Sequence, residues 1–417
     1  MTQFNHHSPE FALNWREQYA EMRTKCPLAH SDEFGGFYIA TDYRSVQGIL
    51  HDPQNFRCGR DLDLGTGDIA PGGVTVPTNP VRMGMMEMDP PRSQTLRRII
   101  ANRFSKKAVN EYAPRMQQLV SWCVDRVIES GSIDFVDDLA NPLPALVTVD
   151  YLGLPLENWE FYATTLHKAA YREKGSARAV GEMLDDIRAI VRSRRTRRRD
   201  DGTIVEQLLD GEEDGKPITE DIAVEMLFML LNGGIDTTTA LIANSFLYLD
   251  AHRDKWDWLR AEPIRIPTAV DELIRYTSPS TGVARTVANP VSIHGVELEP
   301  GDRVLLALGS ANADPEVFDD PGEVRLDRQR NRHLSFGSGM HRCIGSYIPP
   351  LEMTLLLREV VQRLPDYQIR RDEVVAYPTI PLVNGYIAMP ATFTPGPRLM
   401  KGILAEDLPH VLDRAAV

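Results

Sequence analysis

Cysteine is scarce in this chain, and the four present, Cys26, Cys58, Cys123 and Cys343, are scattered without paired spacing. That fits reduced thiols in a cytosol better than a disulfide framework. Excess positive charge is missing too, since the formal net charge is −13. A general nucleic-acid binder is therefore not expected, although a local basic surface remains open. No uninterrupted apolar run is long enough for a convincing membrane span. The N-terminus, MTQFNHHSPE, lacks the charged-then-apolar layout of a signal peptide. Internal repeats are absent, and no Gly-x-Gly-x-x-Gly turn follows a strand, so a dinucleotide-binding unit is not indicated. What is left is a soluble, cytoplasmic globular chain of ordinary apolar and charged content, expected to be a monomer. Its 417 residues alone would suggest two or three domains.

One stretch organises the rest. Residues 333–345 read HLSFGSGMHRCIG, and the glycines Gly337, Gly339 and Gly345 allow sharp turns and close backbone approach to a ligand. Cys343 sits late in this loop, before the helical run that begins near Leu351. A helix N-terminus together with Arg342 and His341 would lower the thiol pKa and favour the metal-binding thiolate. A single thiolate without a second Cys or His at zinc spacing does not suit structural zinc. It suits an axial ligand to haem iron, where the porphyrin supplies the in-plane bonds. The plain alternative is a glycine-rich turn carrying a buried cysteine.

The second organising element runs from Asp221 to about Leu249, a helix apolar nearly all round and therefore buried. Its middle, Asn232 to Thr239, breaks the local rules. Gly233 and Gly234 each cost about 1 kcal/mol in a helix interior, and Asp236 and Thr237 place polar groups in a dry core. Such violations mark a functional site, or else a packing kink with the hydroxyls bonded back to the preceding turn.

Elsewhere, Gly36 to Thr41 reads as a strand and Tyr43 to Leu50 as a short helix. Residues 59–82, rich in Gly, Pro, Thr and Asp, read as a long irregular loop of the kind that forms lids or binding walls. Met83, Met85 and Met86 follow, as pocket lining or as core filling. Asp89-Pro90-Pro91 reads as an N-cap with proline in the first turn. Helical patterns cover Val109 to about Ser130, Asp138 to Leu152, and 157–200 with a break near Gly175. The arginine tract 192–199 reads as a solvated helix end, with partner docking or phosphate binding as lesser options. Glu272 and Arg275 lie three apart on one helix face, ordinarily a surface pair. Strand-like texture returns over 281–310 and 376–395.

These features resemble the cytochrome P-450 family of bacterial, soluble type, over nearly the whole chain. The loop matches that family's Phe-Gly-x-Gly-x-His-x-Cys-x-Gly through Phe336, Gly337, Gly339, His341, Cys343 and Gly345. Gly233, Gly234, Asp236 and Thr237 fit its central-helix motif, Glu272 and Arg275 its Glu-x-x-Arg, and Arg328 the arginine that joins them. The resemblance implies a mainly α fold with a small β subdomain and a long central helix over haem. It implies one domain over 1–417, with β-containing parts near 30–60, 281–310 and 376–395 and a haem-binding loop at 336–345.

It further implies haem b held by Cys343, with propionates met by Arg97, Arg285 and His341, and a buried ion network of Glu272, Arg275 and Arg328. Asp236 and Thr237 would relay protons to dioxygen, with Gly233 and Gly234 leaving room. The expected reaction is insertion of one oxygen atom from O2 into a hydrophobic substrate, by hydroxylation or epoxidation. No flavin or iron–sulfur segment is present, so electrons are expected from a separate ferredoxin and its NAD(P)H-dependent reductase. Met83, Met85, Met86, Thr281, Gly282 and Val283 are expected at the substrate pocket, with the 160–185 region. A haem sensor or carrier without turnover, a peroxide-using peroxygenase and an isomerase-like use of the scaffold are the other classes in view. Two departures stand out. Ser93 occupies the position of a usual histidine one turn before Arg97, and Pro349-Pro350 replace the usual Ala-Arg, so the helix after the ligand must start late or kink.

Overall fold

The computed structural model describes residues 4–63, 69–199 and 201–400. The expectations on the extreme N-terminus and on the middle of the 59–82 loop fall partly outside these. The chain is mainly helical and is built around the helix Glu220–Ala251, which runs ~48 Å at ~1.5 Å per residue. Thr219 opens it, its hydroxyl accepting from the Ile222 amide at 3.3 Å. This helix is long and apolar enough to cross a bilayer, yet 78% of its most apolar window is buried. The helices Pro142–Leu152, Trp159–Ala170 and Ser176–Thr196 pack along it. Below, Ala113–Asp125, Ile266–Thr277 and Ile348–Arg363 enclose the largest apolar core.

A five-stranded sheet flanks the helical body, in the spatial order Leu28–Ser31, Phe37–Ala40, Arg303–Leu306, Val283–Val287, Phe56–Arg57. Its middle strand pairs in parallel with Phe37–Ala40, Val304 opposite Tyr38, and antiparallel with Val283–Val287, Val304 opposite Arg285. That register places Arg285 on a central strand with its side chain buried. The expected β regions are thus present, and further short strands appear at Ser132–Asp134 and Gln368–Ile369.

Three local expectations are corrected. The 59–82 stretch is not irregular throughout, because Asp61–Asp63 pairs with Ile69–Pro71. Residues 72–75 are pinned: Arg303 donates to the carbonyls of Gly72, Gly73 and Thr75 at 2.9–3.0 Å. Buried Glu87 holds Arg60 at 2.7 Å and the Met83 amide at 2.9 Å. Asp89 does not cap the helix Arg92–Ile100; its carboxylate accepts from the amides of Cys58 and Gly59 at 2.8 and 3.2 Å. The arginine tract is not merely solvated, since Arg194 is buried and paired with Glu206 at 3.1 Å.

Candidate active site

The loop that carries Cys343 is shaped by two kinds of restraint. Gly337 and Gly339 adopt φ of +63° and +68°, and a Cβ on Gly339 would stand 2.4 Å from the Leu50 carbonyl oxygen. Only glycine fits there. The other restraint is polar. Glu272, fully buried, receives two hydrogen bonds of 2.8 Å from Arg275, one of 3.0 Å from Arg328 and one of 2.9 Å from the Arg325 amide. The pair read from spacing as an ordinary surface contact is therefore a buried three-residue ion network. Arg275 also donates to the Asn312 carbonyl at 2.8 Å. The Asn312 side chain bonds the Leu334 amide at 2.6 Å and the Ser335 hydroxyl at 2.8 Å. Asn312, which carried no sequence signal, is the link between the ion network and the loop.

Above the loop lies a cavity of about 850 Å³, mostly apolar in lining. Cys343 opens onto it. Enclosure by protein pushes the thiol pKa up, and the Gly345 amide, Arg97 and Arg342 oppose this without reversing it. The expected lowering by the helix N-terminus is not present, because the helix begins only at Ile348, with the prolines in its first turn. Proline is tolerated in a first turn, so the helix opens three residues before the run read from Leu351. A coordinating metal ion is what deprotonates such a thiol outright.

Arg97, Arg285 and His341 line one wall of the same cavity. Among the described residues, neither arginine has an acidic partner. Burial lowers the Arg97 pKa. Burial and the two arginines push the His341 imidazole down to about 4, and its Nε2 is buried without a partner. Two guanidinium groups and an N–H beside a thiol fit the carboxylates and iron of haem. Ser93, buried one turn before Arg97, also faces this space.

The central helix also lines the cavity. Gly233 faces open space, where an added Cβ meets nothing within 4 Å. Gly234 does not, for its Cβ would lie 2.6 Å from Thr148 Oγ1; this glycine serves helix packing rather than room for dioxygen. The Thr237 hydroxyl donates to the Gly233 carbonyl at 2.8 Å and lines the cavity. Asp236 is buried, and desolvation raises its pKa to about 7 against the opposing hydrogen bond from Tyr377.

Met83, Met85, Met86 and Val283 line the cavity, and Met83 and Met85 also belong to the core. Thr281 and Gly282 do not: the Thr281 amide donates to the Leu382 carbonyl at 2.9 Å, and Gly282 packs against the Leu306 carbonyl. The expected 160–185 region contributes Leu166, Ala169 and Val180. Residues 381–383 were not foreseen; the pairing of Ser280 with Val383 brings them to the wall.

Comparison with known proteins decides the family. The profile of the family described as Cytochrome P450 matches residues 156–366. The Steroid C26-monooxygenase of Mycolicibacterium smegmatis is 32% identical over 392 residues, covering 91% of this chain and 93% of that protein. This chain belongs to the cytochrome P450 family. Cytochrome P450 monooxygenase PikC of Streptomyces venezuelae is 30% identical, covering 93% of each chain. The structure of CYP109E1 from Bacillus megaterium in complex with testosterone superposes with a TM-score of 0.80 at 26% identity, covering 93% of this chain and 99% of that one. The P450 fold and haem monooxygenase chemistry follow, with haem b as cofactor, dioxygen as co-substrate, a hydrophobic substrate and redox partners.

Proposed function

We propose that this P450 hydroxylates or epoxidises a largely apolar organic substrate, with two electrons delivered by a separate iron–sulfur ferredoxin and its NAD(P)H-dependent reductase. The observation that carries the reading is one shared cavity lined by Cys343, by Asp236 and Thr237, and by many apolar side chains. When bound, haem supplies the reduction of dioxygen and the oxidation of substrate, and thiolate ligation pushes electron density toward the iron. Cys343 would hold the iron, Arg97 and Arg285 would charge-pair the propionates, and His341 would donate an N–H to them. Thr237 and Asp236 hand on the protons that the reaction consumes, and Gly233 keeps the helix surface clear. Glu272, Arg275 and Arg328 fix the loop.

The acid–alcohol pair favours dioxygen over peroxide as oxidant and a catalyst over a passive haem binder. The steroid class is our first choice of substrate, supported by the steroid monooxygenases among the relatives and the testosterone complex of CYP109E1. We place the enzyme in the cytoplasm, as one domain and a monomer. The test is to purify the haem-loaded protein, screen steroids, macrolides and fatty acids for spin-state shifts, and reconstitute turnover with ferredoxin and reductase. Thr237→Ala is expected to uncouple NAD(P)H consumption from product. Product formed only with hydrogen peroxide, or unchanged coupling in Thr237→Ala, defeats the reading.

A further inference from the structure

Asp236 does not hydrogen-bond its neighbour Thr237 in the structure; its partner is remote in sequence. The Tyr377 hydroxyl donates to Asp236 Oδ1 at 3.1 Å and lies 2.9 Å from Nδ1 of His167. His167 Nδ1 stands 3.9 Å from Asp236 Oδ1, too far for a direct bond, so the phenol is the bridge. All three side chains are buried. They come from the central helix, from the helix Trp159–Ala170 and from the segment between Val375–Ala376 and Tyr386–Ala388. The Tyr377 ring is seated against Gly385, where a Cβ would come within 2.8 Å of it, and the Tyr377 amide donates to the Gly385 carbonyl.

A phenol has one proton. While it donates to an ionised Asp236, it accepts from Nδ1–H of His167, which leaves the His167 Nε2 lone pair bare, and Nε2 is buried without a partner. A buried polar network of this kind is costly unless every member is used. We propose that Tyr377 and His167 are positioning residues of the reaction, a phenol–imidazole wire that hands a proton to Asp236 from the side of the helix Trp159–Ala170. The inference rests on the monooxygenase reading above.

The transfer balances. A proton taken up at Nε2 lets Nδ1 pass its proton to the phenol oxygen while the phenol passes its own to Asp236. One proton enters, one arrives at the carboxyl, and no oxidation state changes. The reversed arrangement, Asp236 donating to Tyr377 and Tyr377 to Nδ1, uses the same heavy-atom positions. Asp236 then gives its proton up on the cavity side, beside Thr237. Among the described residues, the other titratable groups facing the wire are Tyr171, whose ring lies 5.6 Å from His167 and 5.2 Å from Tyr377, and Glu173, which accepts from the Tyr171 hydroxyl at 2.8 Å. Burial holds His167 at about 4 and Asp236 at about 7, so near neutrality the imidazole is a neutral carrier and the carboxyl is poised to exchange.

The test has a readout independent of turnover. Infrared titration of the haem-loaded protein, with the Asp236 carboxyl assigned by its loss in Asp236→Asn, is expected to give a midpoint near pH 7. In Tyr377→Phe the ionised carboxylate loses its donor, and the midpoint moves up by about one to two pH units. In turnover, Tyr377→Phe and His167→Gln are expected to lower product per NAD(P)H by about tenfold or more, with a raised solvent deuterium isotope effect and an unchanged substrate dissociation constant. An unshifted midpoint in Tyr377→Phe, or wild-type coupling and isotope effect in either variant, overturns the wire. Should Tyr377→Phe fail to take up haem, His167→Gln decides by the coupling and isotope readouts. If the wild type yields no product with any electron donor, the monooxygenase reading fails while the infrared titration still judges the Tyr377–Asp236 contact.

Discussion

Removing the Glu272 carboxylate should cost more than any other single change at this site. Glu272→Ala leaves Arg275 and Arg328, 1% and 8% exposed, as buried cations without their counter-ion. Breaking a buried ion pair in this way costs about 3–5 kcal/mol, a large part of the ~5–15 kcal/mol that holds an ordinary protein folded. The expected result is a marked loss in denaturant midpoint together with poor haem retention. Replacing all three charges, as Glu272→Leu with Arg275→Met and Arg328→Leu, separates stability from geometry. Apolar substitutes of similar volume restore much of the lost stability, because no uncompensated charge remains. They do not restore the loop, since Arg275 also donates to the carbonyls of Asn312, Pro321 and Glu323. The triple variant should therefore melt closer to wild type than Glu272→Ala and still hold haem weakly. Denaturant titration and haem content per chain are the two assays. The reasoning fails if Glu272→Ala stays within about 1 kcal/mol of wild type, or if the triple variant binds haem as wild type does.

Gly337 and Gly339 share nearly the same positive φ, but only Gly339 is pressed against the Leu50 carbonyl. Gly337→Ala should cost about 1 kcal/mol for the backbone alone, and Gly339→Ala clearly more, with haem loss; equal melting temperatures would contradict the contact argument. Glu352 is fully buried, and desolvation pushes its carboxyl up to about 8. The folded chain thus keeps a proton that the unfolded chain releases, and its contribution to stability declines as pH climbs from about 4.5 toward 8. Glu352→Gln removes that slope, so its stability relative to wild type should rise between pH 5 and pH 8; a constant difference in melting temperature refutes the assignment.

Legibility in the sequence followed range. The cysteine loop and the central helix announce themselves because their chemistry is crowded into short stretches, where glycine, thiol and buried acid stand out against local rules. Much of the helical layout is readable from periodicity, including the break at Gly175 that separates Trp159–Ala170 from Ser176–Thr196, whereas the helices Ile204–Asp210 and Arg253–Ala261 are not. Partners brought from far along the chain were not readable. Tyr377 is 141 residues from Asp236, and nothing near either position signals the contact. The same holds for Asn312, which joins the ion network to the loop. Close backbone packing hid the rest: Val283 lines the cavity, while the preceding Thr281 and Gly282 are engaged by Leu382 and Leu306.

The central claim is one sulfur on iron. Its most direct test is the spectrum of the reduced, carbon monoxide-bound protein, recorded for wild type and for Cys343→Ala after expression with ample haem. The account predicts a thiolate-type spectrum for wild type and its loss in Cys343→Ala. A colourless wild-type protein, or a thiolate-type spectrum that survives the substitution, contradicts it.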